Sequence, residues 1–485
     1  MNGGYMNNQL VAVSERQIRP LYIEGYTNQL SYQPGDKIDF HLSTSASQYS
    51  LEIARVGADY EVVWQEKDLP GAAYPIPEDA SSHGCHWPTS FTLRIPDTWK
   101  SGYYVAKMQV ADSGGASSYR NNRAAEAERL FVNKKGAFSY RNNRTAEGSL
   151  FFVVRVAQPG HDTKILIQLT TNSYNAYNNW GGFSLYAFQG QSNLQGHRVS
   201  FNRPLDGFFD NWEQPFVAWA ERNGYVLDYA TNTDIEFHPE LLQHYKLVLS
   251  VGHDEYWSVG MRDNLEAFIA NGGNAAFFSG NSVCWQVRCE EEGRALTCWK
   301  QSYNQDPIYK TDDLRLLSTL WSHHLVNRPE NQLTGVGFLY GGYHLSHGQF
   351  MDGSGEYHVH RPDHWVFQGT GLKSGDTFGG TDTIVGYECD GCEFLLEDGL
   401  PVPTHQDGTP EGFTILSTAP VRWHPGDCEW YEGWERGRTG AATMGVYTRG
   451  GTVFTAATTD WSHGLRGNDA VVENITCNVL DRLSE

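Results

Sequence analysis

The sequence predicts a mixed α/β protein, with an N-terminal antiparallel β-sandwich followed by a larger domain built on a parallel sheet. Three observations predict it. Short alternating segments with turn residues at roughly ten-residue intervals fill the first third of the chain. The hydrophobic period then changes after Gln158-Pro159-Gly160, and Lys246 to Asn281 reads as a complete strand, helix, strand unit.

In chain order, residues 1–20 read as a loosely held tail. A sandwich is expected over 21–157, from LYIEGY through a turn at Gln33-Pro34-Gly35-Asp36 to KIDFHLST, SLEIARVG, FTLRIP and GYYVAKMQV, closed by Leu150 to Val156. Within it Tyr119 to Glu126 (YRNNRAAE) recurs as Tyr140 to Glu147 (YRNNRTAE), which reads as a local duplication of one hairpin or loop.

Residues 158–485 form the expected α/β domain, a flavodoxin-like, class I glutamine amidotransferase-like arrangement. Its strands are Lys164 to Leu169, Tyr225 to Ala230, Leu247 to Val251 and Asn274 to Phe278, and its helices start with Gln214 to Asn223 and the short Pro239 to Tyr245. Ser258 can cap a helix whose Met261, Leu265, Phe268 and Ile269 share a face, and Asn271-Gly272-Gly273 can stop it. Thr170 to Trp212 shows no clear helix, and a segment that long inside a compact domain tends to be functional. Beyond Asn281 only Thr383 to Tyr387 and Thr452 to Thr455 read as strands.

A formal net charge of -21 over 485 residues, with no basic patch, argues against nucleic acid or an anionic membrane as partner. No apolar run reaches membrane-spanning length and no export signal is evident, so a soluble, cytoplasmic protein is the expectation. Eight unevenly spread cysteines fit reduced thiols better than a disulfide framework. Cys389-x-x-Cys392 with Cys428 or His424, and the group His83, Cys85, His86, are each incomplete as zinc sites.

A right-handed crossover would bring His253-Asp254-Glu255 and Asn281 to the carboxyl edge of one sheet, where open α/β sheets bind ligands. Asn172 to Tyr186 (NSYNAYNNWGGFSLY) should reach the same edge, with Gly181 and Gly182 allowing close approach of the Trp180 loop. His253 and Glu255, at i and i+2, share a face if that segment stays extended. The turn Gly252-His253-Asp254-Glu255 offers no nucleophile and Cys284 lacks an elbow context, which argues against a covalent triad. What the edge offers is a carboxylate, a histidine, an amide and several phenols. Tyrosinate with carboxylate suits ferric iron, and a bound metal can activate water without a protein nucleophile. A sugar-stacking binding module without metal, or a metal-dependent lyase, would use the same aromatic and polar residues.

The segments TNSYNAYNNWGGFSLY, SFNRP, GHDEYW with MRDNLEAFIANGGN, SGNS and VGYE resemble the large subunit of N,N-dimethylformamidase and the wider family sharing its C-terminal domain, over roughly residues 160–465. The resemblance implies a mononuclear iron held by two tyrosines and a glutamate, hydrolysing a small-molecule amide to an acid and an amine through an activated water. By motif the glutamate falls on Glu255 and the tyrosines on Tyr177 and Tyr186, with Tyr174 competing with Tyr177. His253 and Glu388 would move protons and Asn281 would orient substrate or a developing oxyanion. The resemblance also implies a separate small partner subunit, which the sequence does not show; a homo-oligomer is compatible with it.

Overall fold

The computed structural model describes residues 21–111, 145–345, 350–423 and 439–485. The 1–20 tail, the first YRNNR copy, the start of the second, His424 and Cys428 lie outside these residues.

The first third folds as two facing sheets, antiparallel except where the two-residue β2 pairs with β8 in parallel. Strands β1 (Ile23–Thr27), β3 (Lys37–Thr44) and β6 (Phe91–Arg94) form one in the order β1-β3-β6. Strands β2 (Ser31–Tyr32), β4 (Gln48–Val56), β5 (Tyr60–Pro70), β7 (Gly102–Ala111) and β8 (Thr145–Val154) form the other, ordered β2-β8-β7-β4-β5. Alternate residues such as Ile38, Phe40 and Leu42 meet Leu51, Ile53, Tyr104 and Phe152 between the sheets. The expected turn forms, with Asp36 N donating to Gln33 O at 3.0 Å and Gly35 at φ +90. Strand β5 was not foreseen, because it is an edge strand with most of its residues exposed or half-exposed.

The remaining strands are β9 (Ile165–Leu169), β10 (Arg198–Ser200), β11 (Asp228–Thr231), β12 (Leu247–Gly252), β13 (Tyr256–Ser258), β14 (Asn274–Ser279), β15 (Trp285–Glu290), β16 (Ala295–Thr297), β17 (Gly337–Gly342), β18 (Tyr357–Val359), β19 (Thr377–Phe378), β20 (Cys389–Gly391), β21 (Phe394–Glu397), β22 (Leu400–Pro403), β23 (Thr414–Arg422), β24 (Thr439–Arg449) and β25 (Gly451–Thr455). Nine of them make one sheet, β11-β9-β12-β14-β25-β24-β23-β18-β19. The four expected strands pair in parallel and β25 joins them in parallel. From β25 outward the sheet is antiparallel, so it is mixed rather than parallel throughout. Thr383 to Tyr387, expected as a strand, is irregular, and the nearby strand begins only at Cys389.

The helices are α1 (Ala80–His83), α2 (Thr171–Tyr177), α3 (Glu213–Arg222), α4 (Asn232–Phe237), α5 (Val259–Ala270), α6 (Asn331–Thr334), α7 (Trp461–Gly467) and α8 (Ala470–Ser484). Side chains alternate across the central strands, as the period of two requires. Ile167, Leu249 and Phe278 face α3, α7 and α8, while Leu166, Val248 and Phe277 face α4 and α5. Ser258 caps α5 as expected, its hydroxyl accepting from Met261 N at 3.1 Å. The expected Pro239–Tyr245 helix is a 3-10 turn over Pro239–His244.

Helix α2 corrects the reading of Thr170 to Trp212 as helix-free. Thr171 to Ala176 are all buried, so α2 shows no polar face to betray it. The sandwich buttresses it, Phe151 meeting Tyr174 edge-on at 5.6 Å and Tyr103 stacking on Phe209 at 3.9 Å. No described helix is long and apolar enough to cross a membrane. The seven described cysteines are all free thiols.

Candidate active site

The site hangs from the carboxyl ends of β12 and β14. Strand β12 is buried throughout and ends at Gly252, whose φ of +82 turns the chain over Trp212; a Cβ there would lie 2.5 Å from the Trp212 Cβ. The three residues that follow alternate in direction. Asp254 points back into the sheet, its Oδ2 accepting from Gln168 Nε2 at 2.6 Å and Ser250 Oγ at 2.9 Å, its Oδ1 from Asn232 Nδ2 at 3.1 Å. His253 and Glu255 therefore point the other way together.

Beneath the site a chain of hydroxyls links the two strand ends. Ser250 Oγ lies 3.1 Å from Ser279 Oγ, which lies 2.7 Å from Ser282 Oγ, and Ser282 N donates to Asp390 Oδ2 at 3.1 Å. Burial pushes the Asp254 carboxyl up to about 6 and that of Asp390 up to about 8.

Four oxygens converge above this layer. Tyr177 Oη lies 2.9 Å from Glu255 Oε2, and Tyr186 Oη lies 2.6 Å from Tyr177 Oη and 2.9 and 3.1 Å from the two Glu255 oxygens. Tyr256 Oη donates to Tyr186 Oη at 2.7 Å, and Trp285 Nε1 donates to Glu255 Oε1 at 2.8 Å. Helix α2 separates the competing phenols by one turn. Tyr177 joins Glu255, whereas Tyr174 donates to the buried Glu213 at 2.5 Å and lies outside the cluster.

Burial, followed by the Glu255 charge, pushes the Tyr177 and Tyr186 phenols well above their usual range. Glu255 is raised by burial, opposed by His253 and Lys300. His253 Nε2 is paired with Glu388 Oε2 at 2.6 Å and with Glu255 Oε2 at 3.4 Å. Burial opposes its charge, but Glu388 and Glu255 outweigh burial and raise the imidazole to about 9. Glu388 also accepts from Asn281 Nδ2 at 3.1 Å and from Tyr343 Oη at 3.2 Å. Asn281 sits at φ +49, a conformation Asn tolerates better than most side chains, and its buried Oδ1 has no hydrogen-bond partner among the described residues.

The donor set suits a small hard cation. Ligands at about 2.0–2.1 Å from such an ion stand on the order of 2.9 Å apart at right angles, and the oxygens here are spaced at 2.6 to 3.1 Å. Tyr186 Oη has a single proton for three acceptors, so a cation would relieve a crowded set of oxygens. Among the described residues no group of three or more His, Cys, Asp or Glu is disposed to hold a metal, so the phenols are essential to any such site. The thiols of Cys389 and Cys392 are buried among protein groups, Cys389 Sγ lying 3.6 Å from Thr458 Oγ1.

Known proteins match this chain in sequence. The profile of the family described as "N,N-dimethylformamidase beta subunit-like, C-terminal" matches residues 50–475. The chain belongs to this family. Over 225 residues it is 25% identical to the N,N-dimethylformamidase beta subunit of Alcaligenes sp and 26% identical to that of Paracoccus aminophilus. Each match covers 43% of this chain and 29% of the relative, so the chain spans under a third of the length of these curated relatives. The family match begins inside the sandwich, upstream of the motif-bearing stretch that starts near residue 160.

All six residues singled out by motif, Tyr177, Tyr186, His253, Glu255, Asn281 and Glu388, meet in this one cluster. Sequence reasoning missed Tyr256, Trp285, Tyr343 and Lys300. Tyr256 and Trp285 are register partners in the parallel pair β13 and β15, which places both beside Glu255. Lys300, 2% exposed and at φ +51, sets its Nζ 3.2 Å from the Tyr186 ring centroid and 4.9 Å from that of Trp285. Burial lowers its ammonium to about 8. A lysine in the stretch between Asn281 and Thr383, where no strand is readable, carries no local signal; only the fold brings it here.

Proposed function

We propose that this chain is an iron-dependent amidohydrolase that cleaves a non-peptide C–N bond, on a scaffold of flavodoxin-like type. The observation that carries the reading is the convergence of two phenols, Tyr186 buried and Tyr177 half-buried, on the buried Glu255 carboxylate, beside a histidine paired to a second carboxylate. Tyr177, Tyr186 and Glu255 would hold the iron, which when bound supplies Lewis acidity to polarise an amide carbonyl and acidify a water.

The chain's own residues supply the rest. His253 Nε2 and Glu388 Oε2, 2.6 Å apart, share a proton and can deliver it to a departing amine nitrogen. With Asn281 Nδ2 engaged by Glu388, its Oδ1 is the buried acceptor left to orient a water or an amide N–H. Tyr256 and Trp285 fix Tyr186 and Glu255 through the hydrogen bonds they donate. Burial of His253, Glu255, Asn281 and Glu388 strengthens each of these interactions. A homo-oligomer and a small partner subunit belong to the same proposal, since the relatives are named as beta subunits.

The test is iron content and a visible spectrum, followed by an amide screen with amine release as readout. About one iron per chain, a phenolate-to-iron charge-transfer band that is lost in Tyr186→Phe, and amine release are expected. Protein that neither contains nor takes up iron would overturn the reading.

A further inference from the structure

Two aromatic rings outside the oxygen cluster pack on His253. The Trp212 indole meets the imidazole at 5.7 Å with an interplanar angle of 69°, and the Tyr387 ring meets it at 5.9 Å and 90°. They come from distant parts of the chain, yet one buried carboxylate holds both. Asp460, 4% exposed, accepts from Trp212 Nε1 through Oδ1 at 2.8 Å and from Tyr387 N through Oδ2 at 2.9 Å.

Absence of a side chain at two glycines makes the arrangement sterically feasible. Gly252 lets Trp212 lie directly on the turn before His253, and at Gly386 a Cβ would fall 1.7 Å from Asp460 Oδ2. The wall also stands where the cluster meets solvent. His253, Glu255, Asn281 and Glu388 are each no more than 4% exposed, whereas Tyr387 is 36% exposed and Trp212 is half-buried. A molecule that reaches His253 from that side must pass these rings. Their faces and edges favour apolar, planar groups.

We infer that Trp212 and Tyr387 form the specificity wall that reads the substituents on the nitrogen of a neutral amide, and that Asp460 is the positioning residue that locks the two rings together. This rests on the amidohydrolase reading of the same site. An N-alkyl or N-aryl group packs on the wall while the carbonyl turns toward Tyr177, Tyr186 and Glu255. Unsubstituted formamide leaves the wall untouched.

The experiment combines kinetics with binding on the full-length, iron-loaded chain. KM and kcat are measured for formamide, N,N-dimethylformamide and N-phenylformamide in wild type, Tyr387→Ala, Tyr387→Phe, Trp212→Phe and Asp460→Asn. Tyr387→Ala is expected to raise KM about tenfold for the substituted amides and less than twofold for formamide, with kcat held within about threefold; Tyr387→Phe, which keeps the ring, restores the wild-type pattern. Asp460→Asn, whose amide nitrogen cannot accept, is expected to narrow the same discrimination. Protein grown with 5-fluorotryptophan supplies a readout independent of turnover: the 19F resonance missing in Trp212→Phe identifies Trp212, and it should shift on adding N-phenylformamide and move in Asp460→Asn.

Equal losses for all three amides, or unchanged KM values in Tyr387→Ala, would overturn the wall. A Trp212 resonance that responds to N-phenylformamide in a protein that hydrolyses none of the amides keeps the wall and refutes the hydrolase reading. Hydrolysis with a silent Trp212 resonance and unaltered discrimination refutes the wall alone.

Discussion

Replacing Glu255 by Gln changes one oxygen into an amide nitrogen at the centre of the cluster. Four donor contacts aim at this carboxylate, from Trp285 Nε1 at 2.8 Å, Tyr177 Oη at 2.9 Å, and Tyr186 Oη at 2.9 and 3.1 Å. Glutamine keeps one acceptor. If it faces Trp285, the new NH2 group takes the Oε2 position and meets Tyr177 Oη, which can turn its lone pair toward it. At most one buried donor is then left without a partner, a cost of about 1–3 kcal/mol. Loss of a buried negative charge removes a desolvation penalty of the opposite sign, although it leaves His253 with Glu388 and Asp390, and Lys300 with Glu388, as the carboxyl groups that favour their charge. With domain stabilities of roughly 5–15 kcal/mol, the variant is expected to fold. Iron binding should respond far more, because the variant loses an anionic ligand, and even loss of a supporting hydrogen bond costs about 10–100-fold in metal affinity. Iron per chain by mass spectrometry, the visible band and the melting temperature read these effects separately. A folded Glu255→Gln protein with about one iron per chain and an unchanged band would refute the role of Glu255.

Tyr177→Phe is expected to abolish the visible band, whereas Tyr174→Phe should preserve it and lose about 1–3 kcal/mol by stripping Glu213 of its 2.5 Å donor; paired spectra and denaturant melts distinguish the two, and a lost band in Tyr174→Phe would reverse the assignment. Glu330 is raised by burial from 4.5 to about 7, so the folded state holds its proton more tightly than the unfolded chain. Its contribution is therefore fully present below pH 4.5 and is lost as pH rises toward 7, by about 3 kcal/mol at 1.36 kcal/mol per pH unit; Glu330→Gln should unfold in urea with a smaller difference between pH 5 and pH 7.5 than wild type. Gly252→Ala meets both a left-handed backbone and a 2.5 Å approach to Trp212, and should destabilise by roughly 2–4 kcal/mol while displacing His253; a melting temperature equal to wild type would contradict the packing described.

Much of the framework was readable in advance because its signals are local. The sandwich strands alternate, the four parallel strands of the α/β sheet are short apolar runs, and Ser258 announces α5. Helix α2 was not readable, since TNSYNAY has weak helix formers and is buried all round, so tertiary packing overrides propensity there. That same helix decides between Tyr174 and Tyr177, which a linear reading of YNAY leaves open. The antiparallel strands β23 and β24 escaped notice because their pairing is set by register across the sheet rather than by pattern. Lys300 and Tyr343 reach the cluster from segments with no legible periodicity, and only long-range packing reveals them.

The serine chain under the site has a consequence for how the protein moves. Glu255 N donates to Ser173 Oγ at 3.0 Å and Ser282 N to Asp390 Oδ2 at 3.1 Å, so the backbone on both sides of the cluster is anchored to buried side chains. With Ser250, Ser279 and Ser282 bridging between them, neither strand end can open without its neighbour. The strand ends that carry the candidate active site are thus expected to open and exchange together with the central sheet rather than as a mobile lid. Breathing that admits a substrate must come from the rim, and the oxygen cluster keeps its shape for as long as the sheet itself stays folded.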